Sequence, residues 1–434
     1  MDDFSYLLKD STSKKGLEKL KYRKLFKDTN SYWSFGGEVR EWYEVRVNPN
    51  FGDLPPNSIA DYNGSLQHRL MFHADFQFNK RIRGFIQLNN TLEFGNPNPP
   101  IPEIIVDGLG VHQLFVEWKL GKRNSKLKQN LRVGRQEYSF GNELLLSSRE
   151  GPNNRIAFDG VTYIQNSANS DIHILLATPV IIYPNRFDNQ HVNEFIWGAY
   201  LELNKKKSDK IDAYYLGMFS DRRAYNYISG EQHRHTLGTR FWNHQSKIYY
   251  DVELMYQTGA FNEQLINAGN FNAEVRYVFK NTKWKPMIGL GLSYITGDFH
   301  ANDRQLNTFD SFFPKPVYGL ATPQGPSNIA HIRPIVGFEP SESLFVNFSW
   351  YYLSRTSNQD GTYTPGMTQV RPMPGVTSDK YAVGTQYSLD VFYFLNKNVT
   401  FITFLSYVKP SAYIKETGKG LHTFFWASTL QFKF

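Results

Sequence analysis

The chain has no cysteine among its 434 residues. This absence excludes disulfides, thiol nucleophiles and cysteine-based metal sites together. The chain also lacks any apolar run near the roughly 18 residues that a membrane-spanning helix requires. Its longest apolar stretches, such as Ile172–Ala177 and Phe401–Leu405, are short and interrupted by polar residues. A helical membrane protein is therefore excluded, and strands remain as the only elements that could cross a bilayer.

The N-terminus shows no signal peptide, since the acidic Asp2 and Asp3 are followed by no apolar segment. An envelope protein needs such a signal for export, so we interpret the sequence as a mature chain that begins with an added methionine. The first part of the chain is polar and charged, with a short helix expected within residues 16–27. We interpret residues 1–30 as a periplasmic lead-in and residues 31–434 as a single domain.

The composition combines a soluble average with many aromatic residues. Mean hydropathy is −0.48, but a transmembrane barrel escapes such averages because lipid-facing and lumen-facing residues alternate. Aromatic residues make up 16% of the chain, which suits girdles at two membrane interfaces but also any β-rich protein. The formal net charge of +8 favours anionic partners, without separating nucleic acid, polysaccharide and lipopolysaccharide.

The C-terminal segment Thr423–Phe434 alternates in polarity and ends on an aromatic residue. Its apolar face carries Phe424, Trp426, Leu430, Phe432 and Phe434, and its polar face carries Thr423, Thr429, Gln431 and Lys433. This pattern is typical of the closing strand of a bacterial outer-membrane barrel, although a half-buried strand of a soluble sheet would also show it. In a barrel, the segment must pair with the first strand, near Phe35–Arg40.

The same alternation recurs from Tyr32 onward, in segments separated by turn-rich sequence. The clearest segments are Tyr32–Val47, Leu66–Phe78, Arg81–Leu92, His112–Leu120, Tyr249–Gln257 and Asn272–Phe279. Counting such segments gives roughly eighteen, an even number as expected for a bacterial barrel. Short connections at 79–80 and 204–209 contrast with long ones at 48–64, 95–110, 299–328 and 356–379. The sequence therefore predicts an all-β fold, a transmembrane antiparallel β-barrel with short periplasmic turns and long extracellular loops.

Residues 131–161 read LRVGRQEYSFGNELLLSSREGPNNRIAFDGV. This stretch resembles the alginate export family of outer-membrane proteins in its Gly-Arg-Gln, the following Phe-Gly and then Arg-x-x-x-Asp-Gly. Shorter pieces resemble the same family, namely Lys21–Phe26, Tyr32–Arg40, Tyr294–Asp298 and Phe309–Pro314. The resemblance implies a monomeric outer-membrane barrel of about 18 strands with a charged, arginine-rich lumen. For the best-known members, it implies passage of an anionic uronate polymer.

Charged residues on the predicted strands should face the lumen, because Arg or Lys on the lipid face at mid-bilayer costs about 2–4 kcal/mol. The expected substrate path consists of Arg40, Arg69, Arg83, Arg132, Arg135, Arg155, Asp159, Arg240, Glu253, Arg276 and Asp390. Arginine suits a carboxylate-bearing polymer because its planar guanidinium can hold a carboxylate through two hydrogen bonds. Acidic neighbours would pair with these arginines. For any single residue, such structural pairing without a role in transport is an alternative explanation of its presence in the lumen.

The strongest individual candidates are Arg135, Arg155 and Asp159, because they lie in the block that carries the resemblance. Arg155 and Asp159 are four positions apart on a predicted strand, so their side chains should share one face.

The segment between these candidates is predicted to leave the barrel wall. Gly134 and Gly141 should bracket a bend, and residues 151–154 carry a turn signal. Residues 143–150 are expected to form a loop that reaches over or into the lumen, or else one that caps the strand ends from outside.

Other chemistry finds little support in the sequence. His233 and His235 alternate on one face, but no cysteine or convincing carboxylate spacing joins them, so a solvated strand end is favoured over a metal site. Asp251 and Glu253 are two positions apart on a strand, a spacing that places both side chains on one lumen face. Glycoside hydrolysis also requires a carboxylic acid in an apolar pocket, and the sequence indicates none. No Gly-x-Ser-x-Gly is present. We therefore predict no enzyme activity, no cofactor and no metal.

Together with the charged lumen, the resemblance implies a monomeric channel of the bacterial outer membrane that passes an anionic polysaccharide or oligosaccharide of the uronate type. Its expected partners are outer-membrane lipid, lipopolysaccharide and the saccharide, and not nucleic acid; the sequence identifies no periplasmic partner. A general or substrate-specific porin for small organic anions is the alternative. An outer-membrane enzyme lacks a nucleophile signature here, and a soluble β-rich carbohydrate binder conflicts with the terminal Phe434 and with the loop pattern.

Overall fold

The computed structural model of the protein describes residues 16–25, 31–54, 58–98, 104–121, 126–184, 186–300, 303–316, 318–319, 321, 324–373 and 375–434. In this part of the chain, eighteen antiparallel strands close into one barrel. The wall strands in chain order are β1 (Tyr32–Val47), β2 (Tyr62–Gln77), β3 (Ile82–Phe94), β4 (Asp107–Lys119), β5 (Lys128–Gln136), β6 (Phe158–Asn166), β7 (Ser170–Ile181), β8 (Glu194–Leu203), β9 (Lys210–Tyr225), β10 (Ile228–Asn243), β11 (Ile248–Phe261), β12 (Gln264–Val278), β13 (Met287–Ile295), β14 (Ile329–Ser341), β15 (Leu344–Ser354), β16 (Ala382–Phe394), β17 (Val399–Pro410) and β18 (Thr423–Lys433).

The remaining elements of the described residues are short. Strands of two or three residues lie at Arg23–Lys24, Asn189–Gln190, Gln305–Leu306, Thr362–Tyr363 and Gln369–Arg371. The helical elements are 3-10 turns at Gly16–Leu20 and Pro49–Gly52 and the helix α1 (Ala412–Glu416). Within these described ranges, no helix has the length and apolar character that crossing a membrane requires.

The barrel closes through β18 and β1, as the alternation of the C-terminal segment predicts. The two strands pair antiparallel from Glu38 opposite Lys433 to Val47 opposite Phe424. The pairing therefore begins within the predicted region and extends beyond it toward the end of β1. The chain end adds a further link, because Gly37 donates to the backbone oxygen of Phe434 at 2.9 Å and accepts from its amide at 3.0 Å.

The wall strands turn an apolar face outward, since successive side chains of a strand lie on opposite faces. On β18, the outward side chains of Phe424, Trp426, Leu430 and Phe432 are exposed, whereas Thr423 and Thr429 are buried in the lumen. On β2, Leu66 and Phe72 are exposed and Arg69 is buried. The faces predicted from the alternation are confirmed on these strands.

The two ends of the barrel differ in the length of their connections. At the end that holds Phe434, which we name the turn end, short connections join the strands, as at 78–81 and 204–209. At the opposite end, the loop end, the long connections are 48–61, 95–106, 137–157, 182–193, 296–328, 355–381 and 411–422. The predicted contrast of short turns and long loops is therefore confirmed.

Two connections at the loop end are tight hairpins instead. They lie between β9 and β10 and between β11 and β12. Asn226 and Tyr227 have φ angles of 47° and 64°, the left-handed conformation that two-residue hairpin turns require. The four strands that these hairpins join, β9–β12, are therefore connected at the loop end without a long loop.

Two of the long connections fold back into the lumen. We name residues 137–157 the first inner loop and the described residues of 296–328 the second inner loop. The two loops meet as a short parallel pair, in which Phe313 donates to the backbone oxygen of Leu145 at 3.0 Å and accepts from Ser147 at 2.8 Å. Their apolar side chains form one core with the lumen face of the wall, and those side chains include Leu144, Leu145, Leu146, Phe309, Phe312 and Phe313. Residues 143–150 therefore reach into the lumen, as one of the two sequence interpretations has it.

The described part of the lead-in lies at the turn end. Its helical content is the single 3-10 turn Gly16–Leu20, shorter than the helix predicted within residues 16–27. Arg23–Lys24 pairs with the start of β1, and the ammonium of Lys21 donates to the backbone oxygen of Phe434 at 3.2 Å. Residues 1–15 and 26–30 of the predicted lead-in lie outside the described residues.

Candidate functional site

Most of the predicted lumen arginines hold a carboxylate of the wall. Arg135 donates from Nε and Nη2 to the two oxygens of Asp159, at 2.8 and 3.0 Å. Arg132 donates to Glu117 at 2.7 Å. Similar pairs join Arg83 to Asp75, Arg240 to Asp251 and, along one strand, Arg276 to Glu274. Because these guanidinium groups are already neutralised, they brace the wall and leave little free charge for a passing anion.

The predicted placement of Arg155 and Asp159 on one strand face is wrong. β6 begins at Phe158, so Arg155 belongs to the first inner loop and the spacing of four does not put the two side chains together. Arg155 binds the carboxylate of Glu150 instead. The turn before it explains the difference, because the side chain of Asn153 donates to the backbone oxygen of Ile105 at 2.9 Å and holds this segment away from the strand ladder.

A cluster of charges ties the first inner loop to the wall. We name it the anchor cluster, and its members are Arg40, Arg69, Arg155, Glu38, Glu137 and Glu150. Arg69 of β2 donates from Nε to Glu38 of β1 at 3.0 Å and from Nη2 to the carboxylate of Glu150. Glu150 therefore joins a wall arginine to the arginine of its own loop. The cluster fixes this end of the loop against β1 and β2.

The charge of Glu150 makes the docking of the first inner loop depend on pH. Burial alone would raise the pKa of Glu150, but Arg155, Arg69 and Arg40 outweigh it and hold the pKa below its ordinary value of 4.5. A lowered pKa means that the carboxylate stabilises the docked loop above pH 4.5, and that this stabilisation is lost as the pH falls through the lowered pKa. We expect the single-channel conductance in planar bilayers to stay constant between about pH 5 and 8 and to rise only when the pH falls below 4.5 and through the lowered pKa of Glu150. A conductance that falls continuously on acidification would contradict this role.

The other side of the first inner loop rests on β11. Gly141 has a φ of 62°, and a Cβ on it would lie 2.6 Å from Oε1 of Glu253, so only glycine lets the loop approach this carboxylate. Glu253 accepts hydrogen bonds from the Tyr214 hydroxyl at 2.8 Å and from the amide of Asn142 at 3.4 Å. Glu253 thus supports the inner loop.

The bend before this contact begins inside β5. Gly134 has a φ of 127°, and a Cβ on it would lie 2.2 Å from the backbone oxygen of Leu114. The strand ends two residues later, at Gln136. The predicted departure of the chain from the wall between Gly134 and Gly141 is therefore confirmed.

A buried carboxylate of the second inner loop, that of Asp310, binds the wall. Asp310 accepts two hydrogen bonds from Arg223, each at 2.8 Å. The hydroxyl of Tyr225 donates to it at 2.8 Å and the amide of Gln232 at 3.0 Å. These donors lie on β9 and β10, so Asp310 binds the loop to the wall opposite the anchor cluster. Burial would raise the pKa of Asp310, but Arg223 and Arg234 hold it well below its ordinary value.

The inner loops leave one side of the lumen open. A cavity of about 440 Å³ lies between them and the wall formed by β15–β18 and β1. This volume is within the range of about 300–1,000 Å³ that is usual for small-molecule sites. The wall contributes the amide and hydroxyl side chains of Gln386, Ser388, Ser406, Thr429 and Gln431, and the aromatic rings of Trp42, Tyr351, Phe392, Phe404 and Phe425.

Two cations line this cavity without an ion pair. Arg40 donates to backbone oxygens of the first inner loop, at 2.9 Å to Glu150 and 3.1 Å to Pro152. Lys315 of the second inner loop donates to the side-chain oxygen of Asn142 at 3.1 Å, and burial lowers its pKa. Within the described part of the chain, neither cation has a carboxylate at ion-pair distance. Lys315 therefore retains a charge that a ligand can use, whereas the guanidinium of Arg40 is buried and its terminal nitrogens are bound to the first inner loop, so that it acts on an anion in the cavity through its charge.

Carboxylates line the same cavity. They are Glu143, Glu150 and Asp390. Glu150 is bound in the anchor cluster, and Asp390 accepts a hydrogen bond from Asn347 at 3.2 Å. The cavity is therefore of mixed charge. Of the predicted path residues, Arg40 and Asp390 line it, and the others belong to the pairs and loop anchors described above.

Sequence analysis missed Lys315, Asp310 and the aromatic side chains of the cavity. Lys315 and Asp310 lie in a long connection that strand phasing does not cover. The aromatic cluster at 309–313 was a usable signal, because several phenylalanines in an otherwise Gly-, Pro- and Asn-rich loop indicate that the loop is buried. Trp42, Phe392 and Phe404 fall on the lumen face by the same alternation that placed the arginines.

His233 and His235 lie on the outer face of β10 among aromatic rings. Nδ1 of His235 is 2.7 Å from the Tyr215 hydroxyl, and the ring of His233 lies 4.7 Å from that of Phe219. Among the residues that the structure describes, no group of three or more His, Asp or Glu side chains is placed to hold a metal ion. Their surroundings are those of a membrane-interface belt.

Comparisons with known proteins agree with this architecture. The family model described as alginate export matches residues 31–427, and a search of curated proteins finds no match. Among solved structures, the chain is similar to OccAB1 of Acinetobacter baumannii, with a TM-score of 0.61, 11% identity and coverage of 96% of this chain and 99% of that chain. It is similar to OccK11 (OpdR) of Pseudomonas aeruginosa, with a TM-score of 0.56, 10% identity and coverage of 92% and 95%. It is also similar to a BenF-like porin from Pseudomonas fluorescens Pf-5, with a TM-score of 0.59, 10% identity and coverage of 93% and 98%.

At these identities, the structural likeness shows the fold alone. Together with the family match, it confirms the predicted fold class and the predicted location in the bacterial outer membrane. The surroundings of the barrel are therefore outer-membrane lipid and lipopolysaccharide. The turn end faces the periplasm, and the loop end faces the exterior.

Proposed function

The chain belongs to the alginate export family of outer-membrane barrels, and from this premise we propose that it passes an anionic saccharide of the uronate type across the outer membrane. Family and fold already establish the coarser function, an outer-membrane channel. The proposal adds the class of substrate, a polysaccharide or oligosaccharide that carries carboxylates. It also adds the path, which we assign to the cavity beside β15–β18 and β1.

The observation that carries the proposal is the convergence of Arg40 and Lys315 on this cavity, each without an ion-pair partner among the described residues. A carboxylate on the substrate would supply the missing partner. The amide and hydroxyl side chains of the wall suit the hydroxyl groups of a sugar. Asp390 and Glu143 also line the cavity, and their charge keeps an anion weakly bound, as release from a channel requires.

The predicted path residues outside the cavity have a supporting part in this proposal. Their ion pairs hold the wall and the inner loops in the shape that leaves the cavity open. Basic groups of the cavity without an ion pair, rather than an arginine-rich lumen as a whole, then select the anion. A porin for small organic anions is the second candidate, and it is favoured by the size of the cavity, which suits a single small ligand.

We further propose that the protein acts as a monomer without enzyme activity, since its family and fold are those of transport channels. Residues 1–30 are proposed as a periplasmic lead-in to the barrel at 31–434. Light scattering in detergent should give the mass of a single chain, and a stable mass of two or three chains would contradict the monomer.

Replacing Lys315 with glutamine is expected to weaken anion selectivity. The wild-type channel should prefer anions in planar bilayers at low salt, where charge is least screened. Removing one of the two cations that line the cavity without an ion pair should lower the anion-to-cation permeability ratio about two- to fivefold. The reversal potential in a salt gradient measures this ratio. Lys207→Gln is the matched control, because Lys207 is an exposed lysine in a turn between β8 and β9. Cation preference of the wild type would overturn the proposal.

The substrate class is tested by blockade of the current. A uronate oligosaccharide should block the wild type at lower concentration than a neutral glucan of equal length. Block by small dicarboxylates with no effect of the uronate oligosaccharide would favour the second candidate.

A further inference from the structure

A row of aromatic side chains crosses the lumen wall beside the cavity. Ring centroids are 5.9 Å apart between Phe345 and Phe392, 6.0 Å between Phe392 and Phe404, and 5.8 Å between Phe404 and Trp42. The four residues come from β15, β16, β17 and β1, and each lies on the lumen face of its strand. We name this row the aromatic track.

The register of the strands explains why the row is continuous. Phe345 and Phe392 are direct cross-strand partners, and Phe404 lies two positions along from the partner of Phe392, at the diagonal distance that aromatic side chains can span. Between Phe404 and Trp42, β18 places the small side chain of Ala427 opposite Phe404. Ala427 is fully buried, so the two rings meet over it across an intervening strand.

The track runs from the turn end toward the anchor cluster. Phe345 and Phe392 lie close to the turn-end limits of β15 and β16, whereas Trp42 lies near the middle of β1. Phe392, Phe404 and Trp42 line the cavity. At the far end of the track, the guanidinium carbon of Arg40 lies 5.3 Å from the centroid of Trp42. The row of aromatic rings therefore leads to Arg40, which lines the cavity without an ion pair.

Such a row has no role in the contact of the barrel with lipid, because it faces inward. The lumen of a channel barrel is normally polar, and Phe345, Phe392 and Phe404 are only half-buried by their neighbours. Their partly exposed rings can therefore bind a ligand that has an apolar surface. The face of a pyranose ring presents C–H groups, which the negative face of an aromatic ring attracts.

We propose that the aromatic track is a stacking surface along which the sugar rings of an extended pyranose chain move through the cavity. This inference rests on the proposed function and specifies how the saccharide is recognised. The centroid spacings of 5.9 and 6.0 Å are close to the length of one sugar unit in such a chain. Because the planes of Phe392 and Phe404 lie at 88° to each other, consecutive sugars meet a ring face and a ring edge in turn. A uronate at the Phe404 end of the track, beside the buried Trp42, brings its carboxylate toward Arg40. Several weak, similar contacts in a row let the chain enter and still leave.

The test is Phe404→Leu compared with Phe404→Tyr, both assayed by current blockade of the full-length protein in planar bilayers. Leucine keeps an apolar side chain but removes the flat face, whereas tyrosine keeps the face. With a uronate oligosaccharide as the probe, Phe404→Leu should raise the half-blocking concentration about three- to tenfold, and Phe404→Tyr should leave it near the wild-type value. Phe401→Leu is the matched control, because Phe401 lies on the same strand with its side chain exposed on the outer face.

A tricarboxylate without sugar rings separates this inference from the proposed function. Its blockade should not change in Phe404→Leu, since only charge holds it. If Phe404→Leu leaves the uronate blockade unchanged, the track is overturned while the proposed function stands. If uronate and neutral oligosaccharides block equally but both depend on Phe404, the track stands and the anionic substrate fails. If no oligosaccharide blocks the wild type, both fail. Unaltered tricarboxylate blockade and wild-type open conductance show that the variant is correctly folded.

Discussion

Asp310→Asn is expected to raise the single-channel conductance several-fold, because the second inner loop loses the charge that holds it inside the barrel. The carboxylate of Asp310 is fully buried and binds Arg223 through two hydrogen bonds of 2.8 Å. Removing one partner of a buried ion pair costs about 3–5 kcal/mol, because the other charge stays buried, and Arg223 would keep only its longer contact with Glu194, at 3.6 Å. That cost corresponds to a shift of about 10²- to 5 × 10³-fold in the equilibrium between docked and released loop. Conductance in planar bilayers and protease sensitivity of the loop both measure the release.

The effect should be specific to this carboxylate. Asp303 lies in the same loop but is exposed, so Asp303→Asn should leave the conductance unchanged. Arg223→Gln should open the channel as Asp310→Asn does, and the double variant should add little, since both substitutions remove one interaction. Unchanged conductance of Asp310→Asn would mean that the apolar core between the inner loops holds them without the ion pair.

The barrel wall is the part of the structure that sequence reasoning predicts well. Polar and apolar side chains alternate along each strand, so the apolar face must contact lipid and the polar face must line the lumen. A shift of one residue would turn every charged side chain of a strand toward lipid. Arg69 and Leu70 therefore point to opposite sides of β2, as predicted. The same rule gives the pairing of β18 with β1, since a closed barrel leaves no free edge.

The contents of the lumen are harder to predict, because loops have no period. Arg155 illustrates the limit: its spacing from Asp159 has meaning only on a strand, and the strand starts at Phe158. Side-chain hydrogen bonds such as those of Asn153 decide where the chain joins the ladder, and their partners are distant in sequence. The role of Asp310 depends on Arg223, which lies 87 positions away. Only the apolar side chains around Asp310 indicated in advance that its loop is buried.

Arg69→Gln is expected to make the channel flicker between the wild-type conductance and a larger one. Arg69 joins Glu38 of the wall to Glu150 of the first inner loop and is almost completely buried. Its loss costs about 3 kcal/mol, the lower limit for a broken buried pair, because the side chain of Glu150 is half-exposed. Docking of the first inner loop then weakens about 100-fold. Arg40 of β1 still donates to the backbone oxygens of Glu150 and Pro152, so the loop should leave and return rather than remain outside. Single-channel recordings at neutral pH distinguish such flickering from the stable opening expected of Asp310→Asn.

The matched control is Arg132→Gln, which removes an equally charged side chain whose hydrogen bonds join β5 to Glu117 of β4 and not to the inner loop. It should alter selectivity slightly and leave the open level steady. If Arg132→Gln flickers as Arg69→Gln does, the lumen charge as a whole governs gating and the anchor cluster has no special part. Acid provides an independent check. Protonation of Glu150 removes the same contact that Arg69→Gln removes, so the wild type and Arg69→Gln should behave alike once the pH has fallen through the lowered pKa of Glu150. A difference that persists in acid would mean that Arg69 holds the loop through the backbone oxygens of Glu150 and Pro152, each 3.5 Å from its Nη1, rather than through the carboxylate.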